Sequence, residues 1–230
     1  MSPSSNVLAI VAGATVGLAS EEDTSIFQAQ LQDAGLSEGD VETIVVGTAP
    51  ATIANTFEDG DIDAYVGAVS DFTALQANGV SLRNITSEGV GDIDGNPMVV
   101  LPDTLTSKRE GLVGFLRAWA KAQYVGLSNP EVVEAIVRDK VPAEWRNEAV
   151  GEAALQTAAE LFTPDDPNRI VDVRPEVWET SQELLSSVGI IEETIPIEEA
   201  LDDQLVAEVN EFDRAEVDAA ADRWLQENGG

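Results

Sequence analysis

Short apolar runs alternate with amphipathic stretches through the first part of the chain, and that alternation limits the fold more than any other feature. Ala14-Thr15-Val16-Gly17-Leu18-Ala19 reads as a short strand, and Ser20 to Thr24 as the polar cap of a helix through Phe27 and Leu31. Ala34-Gly35 stops that helix, glycine being the residue that adopts the left-handed turn after a last helical residue. Val41 to Val46 predicts a second, buried strand, Gly47 to Pro50 a turn, and Ala51 to Phe57 a short helix with Ile53 and Phe57 on one side. Asp63 to Val69 predicts a third strand, Phe72 to Ala77 a helix halted by Asn78-Gly79, and Val80 to Ile85 closes the unit. Strands alternating with helices at this spacing need crossover connections, so the expectation is an α/β fold on an open, mainly parallel sheet. Val7 to Leu18 is the most hydrophobic early stretch. It lacks the basic residues that precede a signal-peptide core, so it reads as a buried strand, and no run approaches the ~18–20 apolar residues of a membrane span.

The pattern changes at Asn96. Pro97 to Leu101 is one more apolar run, and nearly everything after it has helical period. Leu112, Phe115, Leu116 and Trp119 recur at three- and four-residue steps and predict one buried face. Further helices are marked by Glu131–Asp139, by Ala154, Leu155, Ala158 and Leu161, and by Pro175–Val188 with Val177, Trp178, Leu184 and Leu185 inside. Leu201, Leu205 and Val209 make the next stripe, and Val217, Ala221, Trp224 and Leu225 the last. The division expected is an α/β ligand-binding lobe over residues 1–95 and a mainly helical segment over 96–230.

Charge narrows the function. Asp and Glu number 43 against 12 Lys and Arg, a formal net charge of −31 over 230 residues. Such a field repels phosphate backbones and anionic lipid, so neither nucleic acid nor a membrane surface is an expected partner. An apolar content of 43% is too high for a disordered acidic tail. The chain has neither Cys nor His. That removes disulfides, thiolate nucleophiles, zinc sites built on those ligands and imidazole bases. The expectation is therefore a protein that is not an enzyme and that holds no metal and no cofactor. No Lys or Arg occurs before Arg83, and the acids are dispersed rather than gathered. Dispersed acid with scarce Lys suits the surface of a protein from a salt-loving organism, where screening tames self-repulsion; an acidic mesophile protein is the alternative.

The order of these signals resembles a known family. Thr15-Val16-Gly17-Leu18-Ala19, then Val45-Val46-Gly47, then Phe57-Glu58-Asp59-Gly60-Asp61-Ile62-Asp63-Ala64-Tyr65 are similar to strand and turn motifs of ABC-importer solute-binding proteins handling thiamine precursors, sulfonates and nitrate. Asn96-Pro97-Met98-Val99-Val100 resembles that family's return strand. Leu112–Lys121, Asn129-Pro130-Glu131 and Val177–Ile190 resemble its later helical segments. The resemblance implies a type II periplasmic-binding-protein-like fold with solute held between two lobes. One open parallel-sheet lobe is complete here (residues 14–92), joined by the return strand and helices of an incomplete second lobe. It implies a small-molecule solute and ABC permease subunits as partners, no membrane insertion, a periplasmic or extracellular location, and a monomer. Most of the family's first lobe has no counterpart before Thr15, so an unpaired edge and a bared apolar face are expected around the return strand. A truncated remnant that does not bind is one alternative. An enzyme on the same fold is another, although the related thiamine-pyrimidine synthases rely on cysteine and histidine.

Ligands of open α/β sheets sit beyond the carboxyl ends of the strands. That rule selects the loops Ser20–Thr24, Gly47–Ala51 and Tyr65–Asp71. Ser20, Glu21 and Thr24 can meet a solute at a helix start, or the acids there can face water as dipole partners. Thr48 offers a hydroxyl. Tyr65 can stack on a flat ring or serve as packing. Ser70 and Asp71 follow; Asp71 can accept from an amine or cap the helix beginning near Phe72. Asp63 reads as a brace for the turn at Gly60. A carboxylate within ~4 Å of a bound anion costs on the order of 4 kcal/mol at an effective dielectric near 20, so a neutral or cationic solute, such as a thiamine-precursor-like heterocycle, is expected.

Overall fold

In a computed structural model that describes residues 8–87, 90 and 97–228, the elements run in chain order as follows. β1 is Thr15–Leu18, α1 Asp23–Asp33, β2 Glu42–Val45, α2 Pro50–Glu58, β3 Ala64–Val66 and α3 Val69–Ala77. α4 is Pro102–Ser107, α5 Arg109–Ser128, α6 Pro130–Lys140 and α7 Glu148–Leu161. α8 is Pro175–Ser187, α9 Ile197–Ala200, α10 Val206–Asn210 and α11 Arg214–Asn228. The protein is α/β and mostly helical, with a three-stranded parallel sheet among the described residues. It divides into two compact units, one of residues 1–95 and 174–197, the other of 96–173 and 198–230. No helix among the described residues is long and apolar enough to cross a membrane.

The first unit is built on strand order β2-β1-β3, all parallel, with Leu18 opposite Val45 on one side and Val66 on the other. Period-two alternation splits the side chains of the central strand between two cores. Val16 and Leu18 join Val11, Phe27 and Leu31 on the face covered by α1. On the other face Ile53, Ile62 and Leu75 form a second core with Val46, Phe57 and Tyr65. Gly17 is the point where this second core meets the sheet: a Cβ there would lie 3.0 Å from both Ile62 Cδ1 and Val46 Cγ2. Asp63 braces the entry to β1, its carboxylate accepting the Thr15 amide at 2.9 Å while its own amide donates to the Thr15 carbonyl at 2.8 Å.

Several expectations are corrected here. Val7 lies outside the described residues, and Leu8–Val11 is a 3-10 turn rather than strand; Gly13, at φ 78°, turns the chain before β1 begins. β2 is an edge strand exposed along its whole length, not a buried one. β3 is only three residues long, because Gly67 and Ala68 leave the sheet and Val69 already opens α3. Val80–Ile85 is not a strand: Val80 and Leu82 pack on the second core and Ile85 on the first, so their apolar character reflects packing rather than a ladder. The return strand falls partly outside the described residues, at Asn96. Its described part, Pro97–Leu101, forms no strand among the described residues, with Val99 85% and Leu101 73% exposed.

The second unit packs α5 against α10 and α11. Its core is Val113, Ala120, Ile170, Leu205 and Val209, edged by Leu112, Leu116, Tyr124 and Phe212. Polar contacts fix the helices in register: Arg109 donates to Glu208 at 2.6 Å, Arg117 to the Glu208 carbonyl at 2.8 Å, and Tyr124 to Asp218 at 3.0 Å. Asn210 acts as a surrogate strand, accepting from the Val171 amide at 3.2 Å and donating to its carbonyl at 2.8 Å. Between α6 and α7, Arg138 stacks 3.8 Å above the Trp145 ring and donates to Glu134 and Glu148. The single buried face expected of α5 is not what the helix presents. Leu112 and Leu116 face the core, but Phe115 and Trp119 point to solvent.

Candidate functional site

Parallel pairing brings the carboxyl ends of β1, β2 and β3 to one edge of the first unit, and the three loops that follow form a continuous rim. Backbone hydrogen bonds hold those loops together. The Ala19 amide donates to the Val66 carbonyl, and the Val46 amide to the Leu18 carbonyl, both at 2.9 Å. Gly47, at φ 87°, turns the chain out of β2 toward Pro50, which opens α2 with no amide hydrogen to satisfy.

Two of the three loops are closed by a side chain near a helix start, the loop after β2 having none at Ala49. After β1, both the amide and the hydroxyl of Ser20 donate to the Asp23 carboxylate, at 2.7 and 2.9 Å. After β3, the Ala68 amide donates to Asp71 at 3.0 Å. The same three-residue spacing recurs at Ser37 and Asp40. In each case an acid reaches back to a donor that the helix leaves unsatisfied.

Tyr65 ties the rim across the sheet. Its hydroxyl donates to the Gly47 carbonyl at 2.9 Å and lies 3.3 Å from the Asp71 carboxylate. Its ring meets Phe72 edge-on at 6.0 Å. Burial first, then the charge and hydrogen bond of Asp71 and the charge of Asp23, push the Tyr65 hydroxyl well above the usual phenol range. Gly67 passes so close that an added Cβ would stand 2.6 Å from the Tyr65 ring and 2.7 Å from Asp71. The rim therefore holds a neutral phenol between two carboxylates, with the first cation of the chain not appearing until Arg83.

Of the residues selected from the sequence, Tyr65 and Asp71 are in direct contact and Ser20 joins them through Asp23, whose charge Tyr65 feels. Glu21 and Thr24 lie in the loop and first turn at the end of β1. Thr48 is exposed just past Gly47, and Ser70 is exposed in the first turn of α3. These four share the rim without a bond to the Tyr65 cluster among those described. Two participants were missed. Asp23 carries a readable signal, the Ser-x-x-Asp spacing of a cap; the Gly47 carbonyl carries none, because it is a backbone acceptor reached from 18 residues away. Among the described residues, no group of three or more acids is placed to hold a metal ion.

With this geometry established, the comparison with known proteins adds one finding. Residues 8–133, more than half of the chain, match the family model described as NMT1/THI5 like. The matched stretch runs from the turn before β1 into α6 and includes all three rim loops. No curated protein matches the chain.

Proposed function

The chain belongs to the NMT1/THI5-like family, and from that premise we propose that it is the extracytoplasmic solute-binding component of an ABC importer, taking a small neutral or cationic solute. The family is one of ABC-type solute-binding proteins, mostly binders although some members are enzymatic, and it implies a solute and permease subunits as partners. The proposed contacts are the rim residues Ser20, Glu21, Thr24, Thr48, Tyr65, Ser70 and Asp71. The observation that carries the ligand class is the charge of that rim. Asp23 and Asp71 flank Tyr65, Glu21 and Glu22 lie exposed beside them, and no cation precedes Arg83. An anionic solute held within ~4 Å of one such carboxylate loses on the order of 4 kcal/mol at an effective dielectric near 20, whereas an amine-bearing ring gains a charge-assisted acceptor. Thiamine-precursor-like heterocycles fit, pairing a flat ring for Tyr65 with an exocyclic amine for Asp71. The enzymatic alternative is weakened by a sequence without Cys or His.

Calorimetric titration and thermal shift with an aminopyrimidine, a quaternary amine, an alkyl sulfonate and nitrate test this reading. Binding of the amine-bearing compounds, weakened at least tenfold in Asp71→Asn and Tyr65→Ala, is expected. Binding of the sulfonate or nitrate alone would reverse the assignment of ligand class, and silence with all four compounds would remove the reading.

A further inference from the structure

Asn84-Ile85-Thr86, in the connection that follows α3, is the one place in the chain where an asparagine stands two residues before a serine or threonine. With no proline between them, that spacing is the acceptor pattern for an N-linked sugar, and it has meaning only in an exposed segment. The fold supplies that context. Asn84 and Thr86 are exposed, and the residues from Val80 to Ser87 belong to no helix or strand. Val80 and Leu82 pack on the second core of the first unit and Ile85 on the first. The backbone is therefore held on both sides of Asn84 while the asparagine itself faces water. Within the motif the Thr86 amide donates to Asn84 Oδ1 at 2.9 Å, which is an Asx turn. Oδ1 and Nδ2 diverge from one planar carbon, so the turn that engages Oδ1 directs Nδ2 away from it. Among the described residues, neither Nδ2 nor the Thr86 hydroxyl makes a hydrogen bond.

We propose that Asn84 is an N-glycosylation site, its side-chain amide accepting a sugar carried on a polyisoprenyl phosphate and delivered by a membrane-bound transferase. The proposal rests on the extracytoplasmic location put forward above, because acceptors of this kind are surface loops of secreted proteins. In the transfer Nδ2 attacks the anomeric carbon of the sugar. The carbon–nitrogen bond forms as the bond from that carbon to the phosphate oxygen breaks, and the lipid phosphate leaves with the electron pair. The proton shed by Nδ2 passes to a base of the transferase, and nothing is oxidised or reduced. An amide nitrogen is a poor nucleophile because its lone pair is shared with Oδ1. A donor already on Oδ1 stabilises the negative charge that collects there as the proton departs, and the Thr86 amide is that donor. The Thr86 hydroxyl is left for the transferase to bind. Charge favours the same place. No Asp or Glu lies between Asp71 and Glu88, and the exposed Arg83 adjoins the acceptor. In a chain of net charge −31 such a stretch is one that an anionic lipid phosphate can approach.

Two measurements on the full chain test this. In the first, the protein is recovered from fractionated source cells and the peptide containing Asn84 is weighed by mass spectrometry. The expected result is extracytoplasmic protein whose Asn84 peptide carries a carbohydrate increment that deglycosylation removes. Extracytoplasmic protein with Asn84 unmodified overturns the site and leaves the location standing, whereas unmodified protein confined to the cytoplasm overturns both. In the second, the folded chain is offered to a membrane preparation of the same cells with a labelled lipid-linked sugar phosphate. Label is expected on the parent and on Thr86→Ser, and is expected to be lost from Asn84→Gln. It should be lost as well from Thr86→Val, which keeps the backbone amide of the turn and removes only the hydroxyl. An unchanged circular dichroism spectrum in each variant separates loss of the acceptor from loss of the fold. Label absent from the parent, or equal to the parent's in Asn84→Gln or Thr86→Val, overturns the proposal.

Discussion

At the residue scale, Gly67 and Tyr65 depend on one another. Gly67→Ala places a methyl group inside the contact distance of the Tyr65 ring and the Asp71 carboxylate. Overpacking of this sort costs about 1–3 kcal/mol, and urea unfolding should show a loss in that range; an unchanged midpoint would mean the ring moves aside freely. Both tyrosines of the chain are held above the ordinary phenol range, Tyr65 by burial and then by Asp71, Tyr124 by burial and then by Asp218. A raised folded-state value means that the unfolded chain releases protons first as pH climbs. The stabilisation from these groups is thus complete below about pH 10, the unfolded phenol value, and is lost as pH rises above it. Absorbance at the tyrosinate band should stay flat through the normal phenol range in the folded protein and appear only as it unfolds. A titration near the ordinary value for both residues would contradict this. Part of the rim was legible in the sequence: the loop positions of Ser20 and Thr48 follow from where parallel strands end, whereas Tyr65, expected in a loop, is the middle residue of β3. What Tyr65 bonds was not, because the Gly47 carbonyl has no side chain to advertise it.

At the element scale, the join between α6 and α7 rests on Arg138. Its guanidinium forks onto Glu148, reaches Glu134 and covers the Trp145 ring, and Gly151 lies so close beneath that ring that a Cβ would come within 2.6 Å of it. Lysine keeps the charge but loses the planar fork and the stacking. Arg138→Lys is therefore expected to lower the melting temperature nearly as far as Arg138→Ala; a lysine variant that melts like the parent would reduce the contact to simple charge. Arg138 also holds the Glu148 carboxyl below its usual range. That contribution is present above the ordinary glutamate value and is lost as pH falls through the acid range. Helices were easy to read from their apolar period, Glu131–Asp139 falling within α6 and Ala154 to Leu161 within α7; their caps, Asn129 and Asn147, each accepting from an amide of the first turn, are seen in the structure. Strands were harder. Val80–Ile85 and Pro97–Leu101 carry the same apolar composition as β1, but composition does not reveal whether a neighbouring strand is available to pair. The face of α5 failed for a related reason, since period marks a stripe and not what lies over it.

At the scale of the whole molecule, acidity dominates. With 43 acids against 12 bases, most carboxylates have no cation to meet. The described ion pairs are partly exposed: Arg169–Asp172 and Lys140–Asp139 are local, while Arg109 and Arg117 reach along the chain to the same Glu208. Self-repulsion of this size weakens the compact state and is screened by salt, whose Debye length shrinks from about 10 Å at 0.1 M to about 3 Å at 1 M. The melting temperature should therefore rise steeply between dilute buffer and 1 M sodium chloride, with isomolar sucrose giving a much smaller rise. A flat response to salt would show that repulsion is not what limits stability. The α/β class and the positions of β1, α1 and α2 were readable because alternation and glycine stops are local signals. The exposure of β2 was not, since its place at the sheet edge is set by strand order.

The phenol of Tyr65 has a single proton, yet two acceptors stand within reach, one on the backbone beyond β2 and one on the helix beyond β3. Loss of either acceptor leaves the hydroxyl the other, so the tie between the loop beyond β2 and the helix beyond β3 is doubly anchored at a single atom.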